Sequence, residues 1–181
     1  DLNYFYRSPL LNARFSVFQT SIEDADEISF FFAEGIGGDN SSFVQEIMQG
    51  ISKKYQGLEV GIEGQILPSL KLKGAASVGE YIYGNNPNVY LTSDDFGYLD
   101  FGEAKMKNLK IATGAQHAYS FGFEFRENYW WFGMTSNYFE NTYLDVSPIN
   151  RTQNFLIDRD GLPFNDYDVD LARSLLEQEK F

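Results

Sequence analysis

One alternation of aromatic and polar residues constrains the fold most. From Ala118 to Arg126 the sequence reads Ala-Tyr-Ser-Phe-Gly-Phe-Glu-Phe-Arg. Because successive side chains of a β-strand point to opposite faces, this segment places four aromatic rings on one face and small or charged residues on the other. Either a second sheet or membrane lipid must cover such an apolar face.

The same period of two recurs along the chain. It is visible in residues 2–6, 11–18, 58–66, 70–73 and 130–138, with Phe18 as an exception on an otherwise polar face. Short turns are predicted near Ser8, Pro68 and Asn128. These segments pair naturally as antiparallel hairpins.

The connections between the predicted strands alternate in length. The long ones are residues 21–42, 84–110 and 141–181. Short turns at one end of a sheet and long loops at the other are typical of outer-membrane barrels. The sequence therefore predicts an all-β fold, namely a segment of an antiparallel transmembrane β-barrel with about six spanning strands of roughly ten residues each.

Charge and hydropathy narrow the function classes. Of the 26 acidic residues, 19 lie in residues 21–42, in residues 84–110 and from Glu140 onward, and the net charge of −12 argues against a nucleic-acid partner. Mean hydropathy is −0.34 and no apolar run approaches the roughly 20 residues that a membrane helix requires. A soluble, extracellular carbohydrate-binding β-sandwich would also have aromatic strands and acidic loops, so that alternative stays open.

In a barrel the two faces of each strand have different surroundings. Polar residues are predicted to line the lumen, and the residues assigned to it are Arg14, Glu59, Glu63, Glu124 and Arg126. Apolar residues are predicted to face lipid, and those assigned to it are Phe15, Val17, Tyr119, Phe121, Phe123, Phe125, Trp130 and Phe132.

Catalytic and metal-binding patterns are weak. The chain has no cysteine and one histidine, His117, without a Ser, Cys or second His at a catalytic spacing, so neither an enzyme nor a cofactor is predicted. Asp158, Asp160 and Asp166 could attract calcium, but their spacing fails the EF-hand pattern. A turn followed by a short amphipathic helix, Val169 to Lys180, within an outer loop is the favoured interpretation.

Several strings of residues resemble one protein family. They include Gly114 to Arg126, Tyr129 to Gly133 and Asn137 to Pro148, with further likeness at Arg7-Ser8-Pro9 and at Asp160 to Tyr167. Together they resemble the carboxy-terminal part of the barrel of TonB-dependent receptors from Bacteroidota. The likeness extends over most of the chain, although it includes no diagnostic catalytic motif.

The resemblance implies a 22-stranded barrel with a plug in its lumen. Residues 1–181 would then be part of one barrel domain in the bacterial outer membrane, with the plug domain and the closing strands outside this chain. The start, Asp1 to Tyr6, has no signal-peptide pattern, which predicts a mature or partial chain.

The resemblance also implies uptake of a ligand, whose identity the sequence does not indicate. The implied partners are outer-membrane lipid, TonB through parts outside this chain, and a surface lipoprotein over the loops. Candidate ligand contacts, chosen by their position in a long loop, are Tyr90, Asp94, Asp95 and Tyr98. A barrel without TonB, with a structural or secretion-associated role, remains an alternative.

Overall fold

A computed structural model describes residues 1–33, 42–94 and 97–152 of the chain. The strands in these ranges are β1 Leu2–Arg7, β2 Leu11–Ala33, β3 Ser42–Leu67, β4 Leu70–Tyr83, β5 Asn88–Ser93, β6 Gly97–Glu103, β7 His117–Glu127 and β8 Trp130–Glu140. One 3-10 helix, Pro148–Arg151, follows them. Within the described residues no helix is long and apolar enough to cross a membrane. The predicted helix from Val169 to Lys180 lies outside the described residues.

All eight strands belong to one antiparallel sheet. Its main path runs β1-β2-β3-β4-β7-β8, while β5 pairs with β3 and β6 pairs with β5. The all-β, antiparallel prediction is confirmed, and six strands form the main path.

The three predicted short turns connect β1 to β2, β3 to β4 and β7 to β8. In the first, the Ser8 hydroxyl accepts a hydrogen bond from the Leu11 amide at 3.0 Å, and the Ser8 amide donates to the Leu11 carbonyl at 2.8 Å. The Arg126 amide donates to the Ser69 carbonyl at 2.8 Å, so two of the turns meet at the same end of the sheet.

Asn128 occupies the left-handed backbone region in the β7–β8 turn, with φ at 44°. Asparagine adopts this conformation more readily than a β-branched residue does. We expect Asn128→Val to lower the free energy of unfolding by about 1–2 kcal/mol and Asn128→Gly to leave it nearly unchanged. The free energy of unfolding of both variants is measured by the fluorescence of the adjacent Trp130 and Trp131 during urea titration. Equal losses in the two variants would contradict the assignment to backbone strain.

Two of the three long connections, residues 21–42 and 84–110, differ from the expectation of loops. The strands β2 and β3 continue far beyond the predicted segments, and β5 and β6 form a hairpin within residues 84–110. The pairing of β2 with β3 shifts register between Ile22 and Glu27, beside Asp24 with φ at 55°. This irregularity divides the sheet into two parts. We call the part that contains the three short turns the lower sheet. We call the other part the extension; it is formed by β2 from Glu27, β3 up to Gln49, β5 and β6.

The buried core lies in the extension and beside it. Its members in the described ranges are Val44, Met48, Ile51, Tyr83, Val89, Leu91, Ala104, Met106 and Ile111. Segment 104–116 is fixed to β4 by hydrogen bonds from the Ile111 amide to the Tyr81 carbonyl at 2.9 Å and from the Gln116 side chain to the same carbonyl at 3.0 Å. One face of the extension is thus covered by connecting segments of the same chain.

Candidate membrane interface

The strand register assigns each side chain of the lower sheet to a face, because residues paired across antiparallel strands point the same way. One row crosses all six strands of the main path through Tyr4, Phe15, Val60, Ala76, Tyr119 and Tyr138. The rows above and below it on this face are also apolar in most positions. We call this surface the apolar band.

The apolar band is broad, and none of the described segments packs over it. In strand order, its larger members are Leu2, Tyr4, Tyr6, Leu11, Phe15, Val17, Leu58, Val60, Ile62, Leu70, Leu72, Val78, Tyr119, Phe121, Phe123, Phe125, Trp130, Phe132, Met134 and Tyr138. In the middle of the band, Ile62 and Phe121 remain 51% and 58% exposed. Along β4 the band runs from Leu70 to Val78, which corresponds to roughly 26 Å of extended strand.

All eight residues predicted to face lipid lie on the apolar band. Phe15, Val17, Phe121, Phe125, Trp130 and Phe132 are exposed. The other two are partly covered by neighbouring rings, since Tyr119 stacks on Tyr138 at 6.1 Å and Phe123 contacts Phe132 at 5.6 Å between centroids.

The opposite face of the lower sheet, the polar face, holds ion pairs. Arg14 lies 3.7 Å from Glu59, Lys71 lies 3.0 Å from Glu63, and Lys73 bonds Glu124. The register places Arg126 on the same face, so all five predicted lumen residues share it. These pairs are half-exposed, so water screens them and each contributes little to the stability of the fold. Together they make the polar face hydrophilic.

A shallow depression of about 310 Å³ crosses the polar face between the ion pairs. Its floor consists of small residues of β3, β4 and β7, among them Gly61, Ala75 and Ser120. Phe18, the exception on the polar face, is paired with Gly57 in the neighbouring strand. A side-chain carbon at position 57 would lie 2.8 Å from the ring of Phe18. The lack of a side chain at position 57 thus makes room for the ring.

A polar cluster marks the upper border of the apolar band. The hydroxyls of Tyr119 and Tyr138 donate to the two carboxylate oxygens of Glu140 at 3.3 and 3.4 Å, and His117 Nδ1 lies 3.1 Å from the same carboxylate. Tyrosine rings with a polar partner on one side and apolar neighbours on the other are characteristic of a boundary between apolar and aqueous surroundings.

The loop residues predicted to contact a ligand lie in the extension. Tyr90 and Tyr98 stack with centroids 5.2 Å apart, and Asp94 follows β5 at an exposed position. Asp95 lies outside the described residues, as do the calcium candidates Asp158, Asp160 and Asp166. In the described ranges, no three acidic or histidine side chains converge in a way that could hold a metal ion.

Sequence reasoning missed a cleft of about 800 Å³ on the covered side of the extension. Glu46 lies in its wall, 5% exposed, and its two carboxylate oxygens accept hydrogen bonds from the Ser29 hydroxyl at 3.0 Å and the Ile149 amide at 3.2 Å. The buried carboxylate thereby fastens the segment around Ile149 to the sheet. The signal that could have identified this strand is its enrichment in β-branched and aromatic residues, Ile28 and Phe30 to Phe32.

Burial raises the pKa of Glu46, and the nearby Asp145 carboxylate adds to the rise, whereas the bonds from Ser29 and Ile149 oppose it. A raised pKa in the folded state means that attachment of the segment is most stable below the unfolded value of 4.5 and weakens as pH rises through the folded value. We expect exchange protection of the Ile149 amide, corrected for intrinsic rate, to fall with rising pH in this window. Glu46→Gln should abolish this pH dependence of protection. An unchanged pH dependence in that variant would contradict the role of the Glu46 carboxylate. Glu27, also in the cleft wall, bonds Lys53, and Glu27→Gln serves as the control.

Comparison with family models, with curated proteins and with solved structures finds no match to this chain.

Proposed function

We propose that this chain forms part of the wall of an outer-membrane β-barrel. The observation that carries the proposal is the apolar band, which no segment within residues 1–33, 42–94 and 97–152 covers, on a sheet whose other face bears ion pairs. Water-soluble monomers rarely expose contiguous apolar patches larger than a few hundred Å². Lipid against the band and water against the polar face would satisfy both surfaces.

The soluble β-sandwich alternative fits these features less well. In a sandwich, the aromatic face of the lower sheet would pack against a second sheet about 10 Å away. The buried core of the described residues lies instead in the extension and under segments 104–116 and 141–152, on the side that continues the polar face. A second layer over the apolar band would have to come from elsewhere.

The sheet edges also support a larger assembly. In the described part of the chain, β1 is hydrogen-bonded only to β2, and β8 only to β7. Exposed edge strands readily pair with further strands, and closure into a barrel removes both edges. A barrel of 22 strands, as the family resemblance implies, would need additional strands on both sides.

Within this proposal the barrel acts as a TonB-dependent receptor of the Bacteroidota type. Its ligand would meet the outer end of the barrel before uptake through a plug that lies outside this chain. Of the predicted contacts, Asp94 and Asp95 remain proposals, whereas Tyr90 and Tyr98 lie on the face of the extension that continues the apolar band and would not meet a ligand in the lumen. Binding of the full-length protein to the purified periplasmic domain of TonB tests this step. Failure to bind, with an intact barrel, would favour the structural or secretion-associated alternative.

A cysteine scan tests the membrane wall directly, because the natural chain has no cysteine. Single cysteines at positions 119 to 125 carry a fluorophore in the protein reconstituted in lipid. We expect quenching by lipid-attached quenchers at Phe121 and Phe123 and quenching by aqueous iodide at Ser120 and Gly122, since these pairs occupy opposite faces. A monodisperse protein without detergent, or quenching without a period of two, would refute the proposal.

A further inference from the structure

The extension carries an exposed aromatic surface on the same side as the apolar band but well above it. The register places Phe30, Gln45, Thr92 and Tyr98 in one row across β2, β3, β5 and β6. Phe43 and Tyr90 lie on the same face in the adjacent rows. We call these six residues the outer platform.

The rings of the outer platform form two pairs. Phe30 and Phe43 stack with centroids 5.7 Å apart and planes 13° apart, and they are 59% and 64% exposed. Tyr90 and Tyr98 stack at 5.2 Å and 25°, and Tyr98 is 60% exposed. Two strand spacings, roughly 10 Å, separate the centres of the pairs. The arrangement offers two flat apolar surfaces to an extended ligand.

Polar groups lie between and beside the ring pairs. The Thr92 hydroxyl donates to Gln45 Oε1 at 3.0 Å, so a hydroxyl and an amide group lie together in the row between the ring pairs. Asp100, opposite Tyr90, adds a carboxylate at the edge. Among the described residues, the paired rows of this face contain no lysine or arginine, so the platform lacks the groups that bind phosphate or acidic chains.

We propose that the outer platform binds the neutral sugar chain of a glycolipid in the surrounding membrane. A sugar presents apolar C–H faces, which suit exposed rings, and hydroxyls, which suit amide and carboxylate groups. A purely apolar partner would offer no hydrogen-bonding groups to the side chains of Gln45 and Thr92. The inference rests on the proposed membrane orientation, because it takes the face of the apolar band as the lipid side.

Position favours a membrane glycolipid over a free sugar. The platform points away from the polar face and therefore away from the lumen of the proposed barrel. From Leu58 at the top of the band to Gln45 is roughly 40 Å of strand, or roughly 30 Å above the band after allowing for a strand tilt of about 40°. A sugar chain rising from neighbouring lipids occupies this height, beside the protein.

Titration calorimetry of the full-length protein in detergent tests the proposal. The probe is the neutral oligosaccharide released from the outer-membrane glycolipid of the bacterium that makes this protein. The double variant Phe30→Ala with Tyr98→Ala removes one ring from each pair, and we expect binding to weaken by about tenfold or more. Phe139→Ala is the matched control, since Phe139 is 63% exposed on the polar face, and it should bind as the unchanged protein does.

Several outcomes would overturn the assignment. These are absence of binding, equal binding by the double variant, and equal affinity for maltohexaose, which would show that the platform does not select the sugar of the glycolipid. Self-association that is lost in the double variant would identify the platform as an interface between copies instead. The cysteine scan keeps the two proposals separate, because a period of two without sugar binding refutes only the platform.

Discussion

Replacing Phe121 with lysine is expected to lower the free energy of unfolding in a lipid bilayer by roughly 2–4 kcal/mol. Phe121 lies in the middle row of the apolar band with Ala13, Ile62 and Gly74, and its ring is 58% exposed. In the proposed barrel a lysine at this depth would bring its ammonium group into hydrocarbon. Urea unfolding in vesicles, followed by circular dichroism, measures the loss.

Two control variants give this experiment its specificity. Leu58→Lys introduces the same charge at the upper border of the band, where the cost should fall to about 0–1 kcal/mol. Ser120→Lys places it on the polar face beside the depression, where water would solvate it. A sheet buried under a second protein layer would show no such dependence on depth along the strand. Equal losses at positions 121 and 58 would therefore contradict a membrane location.

The lower sheet could be predicted from the sequence because its pattern is simple. In β2 the apolar residues from Leu11 to Val17 occupy odd positions, and β7 continues the same regularity from Tyr119 to Phe125. Ser8, Pro68 and Asn128 supplied the turn signals. Local chemistry was sufficient there, since each strand faces one kind of surroundings on each side.

The extension could not be predicted in the same way because the alternation changes from odd to even positions within a strand. After the irregularity near Asp24, the outward apolar residues Ile28, Phe30 and Phe32 occupy even positions, the opposite of Phe15 and Val17. The acidic residues around the irregularity made the segment look like a loop. A bulge that leaves the strand intact but shifts its register breaks a simple alternation rule.

The grouping of the ligand candidates in space could not be predicted from their position in the sequence. Tyr90 and Tyr98 come together because β5 and β6 form a hairpin, which position in a long loop did not indicate. Their neighbours Phe30 and Phe43 were missed, since they join the same surface through β3 pairing on both of its edges. Contacts between distant segments of this kind require knowledge of the sheet order.

The core around Ile51 raises a separate question, namely whether the covered extension is stabilised independently of lipid. Ile51 is fully buried and packs in one cluster with Tyr83, Met106 and Ile111. We expect Ile51→Ala to cost about 2–5 kcal/mol, because it removes buried apolar contacts and leaves a cavity. The loss should appear first in segment 104–116, whose hydrogen bonds to β4 depend on this packing.

Hydrogen exchange resolves the location of that loss. In Ile51→Ala the Ile111 amide, bonded to the Tyr81 carbonyl, should lose protection, while amides of β7 and β8 should keep theirs. Ile28→Ala removes the same atoms from a side chain that is 55% exposed, and it should change protection little. Equal effects of the two variants, or loss of protection throughout β7 and β8, would mean that the sheet unfolds as one unit. Retained protection in β7 and β8 would instead show that the lower sheet keeps its structure when the packing of segments 104–116 and 141–152 over the extension is weakened.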